Sequence, residues 1–426
     1  DHALLMCVRM PELQKGARGG IMTEPLNIAL LSIHSSPLGT LGTVDTGGMS
    51  IYLLELAGAL ADRGHKIDIF TRALAPDEAP LVEYTANVRL IRLRVPGTES
   101  LAKSELYDYL PDYQQEIAKF RRQHRADYHI LHSNYWLSAV VGDRLRSIWG
   151  CPHLVTFHTL ALAKVAARKD HREDRLRAEE EARLLTCCDG VMVSTAADRD
   201  QLDAYLGTDG APIHLVKLGV DLDHFKPVPA SKKYAFGKSH RPPVILFVGR
   251  FDPMKGADTA ITALALLDEE TEPELHLVGG DGPDSEAGRR LVELVSALGV
   301  QGRVRFIGTV EHTRMPEIYH QADIVVMPSY HESFGLVVLE ALASGIPVAA
   351  TPTGIAVEAV SPDINGYFAT SGDAPSLARA MADALAMARR QDPLVIRRSV
   401  QSYGWARVAD SVYSVYSGAL LRSKIY

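Results

Sequence analysis

Two glutamates stand eight residues apart in the segment PSYHESFGLVVLE, residues 328–340. Glu332 follows an apolar run, Asp323–Met327, that predicts a buried strand, whereas Glu340 falls inside an apolar helix that stops at Gly345. Burying such a carboxylate is costly unless it is hydrogen-bonded, and ligand hydroxyl groups are suitable partners. The helix start offers free N–H groups and the positive end of a dipole, which suit phosphate. The segment therefore predicts a site for a molecule with hydroxyls and phosphates, such as a sugar nucleotide.

Two cations, Arg250 and Lys255, lie in VGRFDPMKG directly after the strand candidate Val244–Val248. Cations at the carboxyl end of a strand suit a diphosphate leaving group, because its negative charge grows as the bond to it breaks. As isolated residues they would be two solvated surface charges. Beside the glutamate segment, they favour phosphate binding.

Gly47 and Gly48 end the turn after the first strand candidate, Asn27–Ile33. Glycine lets the backbone approach a bulky anion and adopt unusual dihedral angles, although a glycine pair also suits an ordinary turn. His158 ends the run HLVTFHT, at the carboxyl edge of another strand candidate. A single histidine there serves either structure or binding, and the residues alone leave both interpretations open.

Other chemistries fit the same residues less well. The two glutamates could be the acid and base of a glycosidase, but a loop and helix do not obviously aim both carboxylates at one bond. A nicotinamide-dependent Rossmann enzyme is another alternative, but the first turn lacks its G-x-G-x-x-G pattern.

The surrounding pattern predicts the elements that position these residues. Short apolar runs alternate with segments of helical periodicity, first from Asn27 and again from about Pro242. Each series predicts a doubly wound, parallel α/β domain, and Val220–Pro243, rich in Pro, Lys and Asp, predicts the linker. Ligands bind at the carboxyl ends of strands in such sheets, so the cleft between the domains is the expected site. The strand candidates are Asn27–Ile33, Lys66–Thr71, Tyr128–His132, His153–Phe157, Gly190–Ser194, Val244–Val248, Glu274–Val278, Val304–Ile307, Asp323–Met327 and Pro347–Ala350. The helix candidates are Met49–Arg63, Arg172–Leu185, Asp258–Leu267, Glu286–Leu298 and Thr313–His320.

Bulk properties limit the function classes. A chain of 426 residues is too long for one core and predicts two or three domains. The net charge of −7 argues against general nucleic-acid binding, and no apolar run approaches the length of a membrane span. The four cysteines lack CxxC spacing, which fits a reducing cytoplasm. Residues 1–21 have no convincing secretory pattern and predict an extension outside the fold.

Six motifs occur in order along the chain: DTGGMSIYLLELAGALADRGH, HSNYWLS, FHT, VGRFDPMKG, ESFGLVVLE and ASGIPV. Together they resemble the retaining glycosyltransferases of family 4, and the resemblance runs from about Asn27 to the C-terminus. Within that family the chain resembles the inositol-3-phosphate N-acetylglucosaminyltransferases first and the sucrose-phosphate synthases next. The resemblance implies a GT-B fold, in which two Rossmann-like, doubly wound domains face a central cleft. It places an acceptor domain at residues 22–220, a nucleotide-sugar domain at 221–404, and a final helix, 405–426, packed back on the first domain.

The resemblance also implies roles for the residues introduced above. Arg250 and Lys255 would hold the donor phosphates, Glu340 would bind the ribose, and Glu332 would lie near the donor sugar. His158 would contact a sugar hydroxyl in a binding role and not as a general base. The implied catalytic residues are His158, Arg250, Lys255 and Glu332, and the implied donor-binding residues are Gly47, Gly48, Arg250, Lys255, Phe334, Gly335, Leu336 and Glu340.

An acceptor phosphate would be held by a Lys, a Tyr, a Thr and an Arg, which is a sensible set for a phosphate monoester. The matching residues are Lys103, Tyr135, Thr159 and Arg177, with Ser50 at a position that touches the inositol ring in the resembling subgroup. Arg177 has an alternative, a surface salt bridge with Glu181. The subgroup has Asn in place of Ser50 and prolines in place of Lys217-Leu218. These departures weaken the case for inositol phosphate more than the case for a phosphorylated acceptor.

The expected activity is transfer of a hexose or N-acetylhexosamine from a UDP-sugar to a hydroxyl of a small phosphorylated polyol or sugar. The alternatives are a sucrose-phosphate-synthase-like glucosyltransferase and a non-catalytic protein that binds sugar nucleotides. No cofactor or catalytic metal is expected, because the DLD at Asp221–Asp223 falls in the linker. The oligomeric state, monomer or homodimer, stays open.

Overall fold

The computed structural model describes residues 24–38, 47–161, 174–207, 210–228, 241–267, 272–280 and 282–423. The predicted extension at residues 1–21, the middle of the predicted linker and the first residues of the helix predicted at Arg172–Leu185 lie outside the described residues. Within them the chain forms two α/β units, each built on its own sheet, which confirms the predicted architecture.

The first sheet has eight strands in the order β3-β4-β2-β1-β5-β6-β7-β8. Neighbouring strands run parallel, except that β3 pairs antiparallel with β4. The strands are β1 Asn27–Ser32, β2 Lys66–Arg72, β3 Leu81–Thr85, β4 Val88–Leu93, β5 Ile130–Asn134, β6 His153–Thr156, β7 Gly190–Val193 and β8 Ile213–Leu215. The helices between them are α1 Gly48–Ala61, α2 Leu110–His124, α3 Trp136–Trp149, α4 Arg175–Cys187 and α5 Ala196–Leu206.

The second sheet has six parallel strands in the order β11-β10-β9-β12-β13-β14. The strands are β9 Val244–Val248, β10 Glu274–Val278, β11 Val304–Gly308, β12 Ile324–Met327, β13 Val348–Ala350 and β14 Gly366–Phe368. The helices are α6 Ala257–Ala265, α7 Glu286–Ala297, α8 Met315–Gln321, α9 Leu336–Ala343, α10 Ala356–Ala359, α11 Ala374–Arg390, α12 Pro393–Arg398 and α13 Trp405–Ser423.

The central strands are buried on both faces, which is why they appear in the sequence as continuous apolar runs. Strand β12, with the sequence IVVM, is buried at every position, and β1, NIALLS, at all but its first. Several helices begin at a side-chain cap, for example Thr195 before α5 and Ser285 before α7. The predicted strands are all present, and their ends differ from the predicted ones by at most two residues.

Helix α13 belongs by its contacts to the first sheet, although it ends the described chain. The Arg63 side chain, just after α1, donates to the Asp410 carboxylate of α13 at 2.7 Å. The Tyr416 hydroxyl lies 2.8 Å from Nδ1 of His132, a wholly buried residue of β5. Just before α13 the chain returns to the first unit at Tyr403, whose carbonyl accepts the N–H of Val220 at 2.9 Å.

Candidate active site

A cleft of about 420 Å³ lies between the two sheets, at the carboxyl ends of their strands. We call its two sides the N-terminal wall and the C-terminal wall. The N-terminal wall includes His34, Gly47, Gly48, Lys103, Tyr135, His158 and Thr159. The C-terminal wall includes Arg250, Lys255, His312, Glu332, Phe334, Gly335, Leu336 and Glu340. The cleft thus brings together the predicted site residues, apart from Ser50 and Arg177.

Lys255 ends a 3₁₀ turn, Pro253–Lys255, that follows β9. Its ammonium lies 2.7 and 2.9 Å from the two carboxylate oxygens of Glu332. Burial acts to raise the pKa of Glu332, but the adjacent Lys255 outweighs it, so the pKa lies below its usual value. Asp252 fixes the turn by accepting the Met254 N–H at 2.9 Å, and its other oxygen lies 3.3 Å from the Arg250 guanidinium. The cations are therefore held in place before any ligand binds.

Two helix N-termini approach each other across the cleft. Helix α1 begins at Gly48, and α9 begins after Gly335, which has a left-handed φ of 74°. A Cβ atom added to Gly48 would lie 3.7 Å from the Leu336 side chain, in ordinary van der Waals contact. The first N–H groups of both helices carry the positive dipole ends, so this part of the cleft favours an anion.

His158 lies two residues beyond β6, between the two walls. Its ring centroid is 4.6 Å from that of Phe334 and 5.2 Å from that of Tyr52. Burial, with smaller effects of His132 and His34, lowers the pKa of His158 well below its ordinary value. The imidazole is therefore neutral at physiological pH, and its role in binding stays a prediction.

Glu340 is 5% exposed, and the protein supplies a partner for each of its oxygens. His312 lies 2.9 Å from Oε1, and the Tyr319 hydroxyl donates to Oε2 at 2.7 Å. The sequence predicted ligand hydroxyls as the partners of this carboxylate and did not indicate His312. A carboxylate has about four accepting directions, so each oxygen can still accept a further hydroxyl. Burial acts to lower the pKa of His312, but the hydrogen bond to Glu340 and the negative charges of Glu340, Glu55 and Asp221 together outweigh it, so the pKa lies above its usual value.

The N-terminal wall is positively charged around His34, two residues after β1. Burial, aided by the positive charges of Lys103, Arg72 and Arg177, lowers the pKa of His34 to about 3. The His34 ring lies on Tyr135, with 4.3 Å between centroids. Sequence reasoning missed His34 and Arg72, although both stand at the carboxyl ends of adjacent strands, where a site is expected.

Arg177 and Ser50 lie behind the N-terminal wall. Arg177 is 4% exposed, donates to Glu181 at 2.7 Å and to the Thr159 carbonyl at 2.7 Å, and lies over the Tyr135 ring. The alternative salt bridge with Glu181 is thus present, but it is buried and not at the surface. Ser50 is wholly buried, with its hydroxyl 3.3 Å from that of Ser35. Arg177 thus positions Thr159 and Tyr135 from behind.

Asp221 accepts the backbone N–H groups of Asp223 and His224 at 2.8 and 3.0 Å, so its carboxylate closes a local turn. Among the described residues, no group of three or more His, Cys, Asp or Glu is arranged to hold a metal ion. The described helices include none with the length and apolar character needed to cross a membrane.

Glu55 of α1 gives a prediction about stability and pH. Burial, together with Asp221 and Glu340 and against His312, raises the pKa of Glu55 to about 7 from 4.5. Between pH 4.5 and 7 the folded protein binds more protons at Glu55 than the unfolded chain does. The protonated Glu55 therefore contributes its full stabilising free energy below pH 4.5, and this contribution is lost as the pH rises through 7. We expect Glu55→Gln to stabilise the protein at pH 8 by about 1 kcal/mol and to have no effect at pH 4.

Urea unfolding at the two pH values measures this difference. Glu286→Gln is the control, because Glu286 is 77% exposed in an ion pair with Arg290. Its effect should stay below about 0.5 kcal/mol at both pH values. Equal effects of Glu55→Gln at pH 4 and pH 8 would contradict the raised pKa.

Two largely parallel sheets in separate α/β domains that face one cleft are the architecture of the GT-B class of glycosyltransferases. Residues 231–395 match the family described as glycosyl transferases group 1, and residues 47–219 match the glycosyl transferase 4-like domain. The chain belongs to this family of glycosyltransferases, as its motifs predicted.

Three similar proteins illustrate the relationship. The D-inositol 3-phosphate glycosyltransferase of Geodermatophilus obscurus is 36% identical over 405 residues, covering 93% of this chain and 90% of the relative. That of Corynebacterium glutamicum is 33% identical over 422 residues, covering 94% and 98%. The structure of sucrose-phosphate synthase from Thermosynechococcus elongatus superimposes with a TM-score of 0.83 at 30% identity, covering 93% of this chain and 100% of that chain.

Proposed function

We propose that this glycosyltransferase moves a hexose or N-acetylhexosamine from a UDP-sugar to a hydroxyl of a small phosphorylated polyol or sugar, with retention of configuration. The observation that carries the proposal is that both walls of one cleft bear positive charge. Lys255 and Arg250 lie on the C-terminal wall, and Lys103 lies on the N-terminal wall. One wall suits a diphosphate, and the other suits a second, separate phosphate.

The C-terminal wall suits the donor. Lys255, Arg250 and the facing helix N-termini would stabilise the diphosphate as negative charge develops on it. Glu340, already oriented by His312 and Tyr319, has accepting directions left for the ribose hydroxyls. The choice of UDP over other nucleotides rests on the family resemblance alone.

The N-terminal wall suits a phosphorylated acceptor. Lys103 and the Tyr135 hydroxyl can donate to phosphate oxygens, and the buried Thr159 hydroxyl has no partner among the residues that the structure describes. Two of the similar proteins are named for D-inositol 3-phosphate and one for sucrose phosphate, so a phosphate group is common to all three names. Lys217, one of the departures from the inositol-phosphate subgroup, pairs with Glu358 at 2.9 Å and does not line the cleft.

In the proposed reaction the acceptor hydroxyl attacks the anomeric carbon on the face that the diphosphate leaves. The departing phosphate oxygen takes the hydroxyl proton, so the chain need not supply a general base. The neutral His158 would hold a sugar hydroxyl and orient the ring. Closure of the two walls would exclude water and so limit hydrolysis of the donor.

The test is a screen of UDP-, GDP- and ADP-sugars against polyol phosphates, sugar phosphates and their unphosphorylated forms, with nucleotide release as the readout. We expect UDP release that requires a phosphorylated acceptor, and a product whose anomeric proton shows the donor's configuration by NMR. Equal UDP release with phosphorylated and unphosphorylated acceptors, or a product with inverted anomeric configuration, would contradict the proposal.

A sucrose-phosphate-synthase-like activity is the second candidate, favoured by the TM-score of 0.83. The same screen separates it from transfer to a polyol phosphate, because the sucrose-phosphate-synthase-like activity requires a sugar phosphate as the acceptor. If UDP-sugars bind and no acceptor releases UDP, the protein is instead a non-catalytic binder.

A further inference from the structure

Asn134 ends strand β5, and His158 follows the end of the neighbouring strand β6 and lines the cleft. Strands β5 and β6 pair in parallel with Asn134 opposite Thr156, and His158 follows two residues later. Nε2 of His158 lies 2.8 Å from Oδ1 of Asn134. Asn134 is 0% exposed, so water does not compete for this contact.

The orientation of the Asn134 amide determines which imidazole nitrogen carries the proton. Its Nδ2 lies 3.5 Å from the backbone carbonyl oxygen of His132. The reversed amide would lose this hydrogen bond and leave two carbonyl oxygens facing each other, which favours the orientation in which Oδ1 faces His158. An amide oxygen only accepts hydrogen bonds, and Nε2 of His158 must therefore be protonated. In the neutral ring, Nδ1 then carries a lone pair and no proton.

This Nδ1 is buried and has no hydrogen-bond partner among the residues that the structure describes. His158 lines the cleft beside Glu332 and Phe334. A buried acceptor without a partner is costly, and a ligand that donates to it would remove that cost. A sugar hydroxyl is such a donor.

The backbone is strained at His158 and at Tyr135, the residue after Asn134. Tyr135 and His158 both have left-handed φ values, 74° and 61°, without being glycine. Such conformations are unfavourable for residues other than glycine and persist where the surrounding structure enforces them, often at functional sites. Here the rings of Phe334 and Tyr52 pack against the His158 imidazole, and the Asn134 amide makes a hydrogen bond with its Nε2.

We propose that Asn134 is a positioning residue, which fixes His158 in the Nε2-protonated tautomer so that Nδ1 accepts a hydroxyl of the donor sugar. The proposal rests on the proposed function only for the identity of the ligand. The tautomer itself follows from the contacts of Asn134 and needs no substrate to be tested.

The first experiment is NMR of the full-length protein labelled with ¹⁵N-histidine, with the His158 signals assigned through His158→Gln. We expect a protonated Nε2 and an unprotonated Nδ1 at neutral pH, and loss of this single tautomer in Asn134→Ala. The matched control is Asn365→Ala, which removes another wholly buried asparagine, on the second domain, and should leave the His158 signals unchanged. A protonated Nδ1 in the unaltered protein would overturn the proposal, even if Asn134→Ala fails to fold.

The second experiment adds the UDP-sugar that the screen identifies and a series of its monodeoxy analogues. Donor binding should shift the Nδ1 resonance, and Asn134→Ala should lower kcat/KM about tenfold with the parent sugar. One analogue lacks the hydroxyl that donates to Nδ1. With this analogue, Asn134→Ala and the unaltered protein should have the same kcat/KM. A saturating donor that leaves Nδ1 unshifted, or an equal loss for every analogue, would overturn the proposal. If no UDP-sugar binds, the proposed function fails, and the NMR of the unliganded protein still decides the tautomer.

Discussion

Replacement of Lys255 by alanine is expected to lower kcat by about 10²–10³-fold, because the ammonium faces the charge that develops on the leaving diphosphate. Its position at the end of the turn after β9 is fixed, with both Glu332 oxygens within 2.9 Å. Because the Lys255 ammonium is already in place, it need not move when the bond between the sugar and the diphosphate breaks. Loss of Lys255 should therefore lower kcat more than it weakens donor binding. Steady-state kinetics with the identified donor and acceptor measure both.

The same substitution should also destabilise the protein, since it leaves a carboxylate that is 13% exposed without its cation. We expect a loss on the order of 2 kcal/mol in the free energy of unfolding. Adding Glu332→Gln removes the uncompensated charge and should recover most of that stability. It should not restore kcat. This double variant therefore separates a folding defect from a catalytic one.

Arg250→Ala should reduce kcat in the same way, because Arg250 lines the same wall. Arg290→Ala is the matched control, because the Arg290 side chain is 72% exposed on α7. Its kcat should equal that of the unaltered protein. Activity within about twofold of normal for Lys255→Ala would exclude its assignment to the donor phosphates.

Replacement of Lys103 by alanine is expected to raise the acceptor KM by about 10–100-fold and to leave the donor KM nearly unchanged. A charge-assisted hydrogen bond to phosphate is worth about 1.5–3 kcal/mol, which corresponds to a change of this size. Lys103 lines the N-terminal wall near His34, on the side away from Arg250 and Lys255. The measurement is acceptor KM at saturating donor, and donor KM at saturating acceptor.

The acceptor itself supplies the sharpest control for this prediction. An unphosphorylated acceptor of the same structure should bind to Lys103→Ala and to the unaltered protein with equal affinity, measured by calorimetry, because the interacting group is missing. Lys66→Ala is the matched surface variant, since Lys66 is exposed at the start of β2. An unchanged acceptor KM in Lys103→Ala would mean that no phosphate binds at this position.

The fold was predictable where burial dominates the sequence. Strands such as β12 are apolar throughout because helices cover both faces of the sheet. Strands β3 and β4 were not predicted. The last three residues of β3 are exposed at the sheet edge, so nothing forces an apolar pattern on it, and Arg89 and Arg92 interrupt the apolar residues of the largely buried β4. The short β8 and β14 span only three residues each, too few to show a period.

The site was predictable where its residues sit in one short segment. Arg250, Lys255 and Glu332 follow strand ends within recognisable motifs, and the structure brings all three to one wall. His312 and Asn134 were missed, because their partners are 28 and 24 residues away in the chain. The strand order, which places β5 beside β6, makes the Asn134 contact visible, whereas His312 and Glu340 meet where the turn after β11 packs against α9. Periodicity and spacing do not contain that order.

The position of helix α13 at the end of the described chain has a consequence for folding during synthesis. Its residues complete the packing of α1 and β5, through Asp410 and Tyr416, yet they are the last of the described chain to be synthesised. Domains usually fold in turn as they leave the ribosome. Here the first unit cannot bury its full apolar surface until the second has emerged. No single cut can therefore divide this chain into two pieces that each hold a complete core, and any fragment that ends before Trp405 should be prone to aggregation.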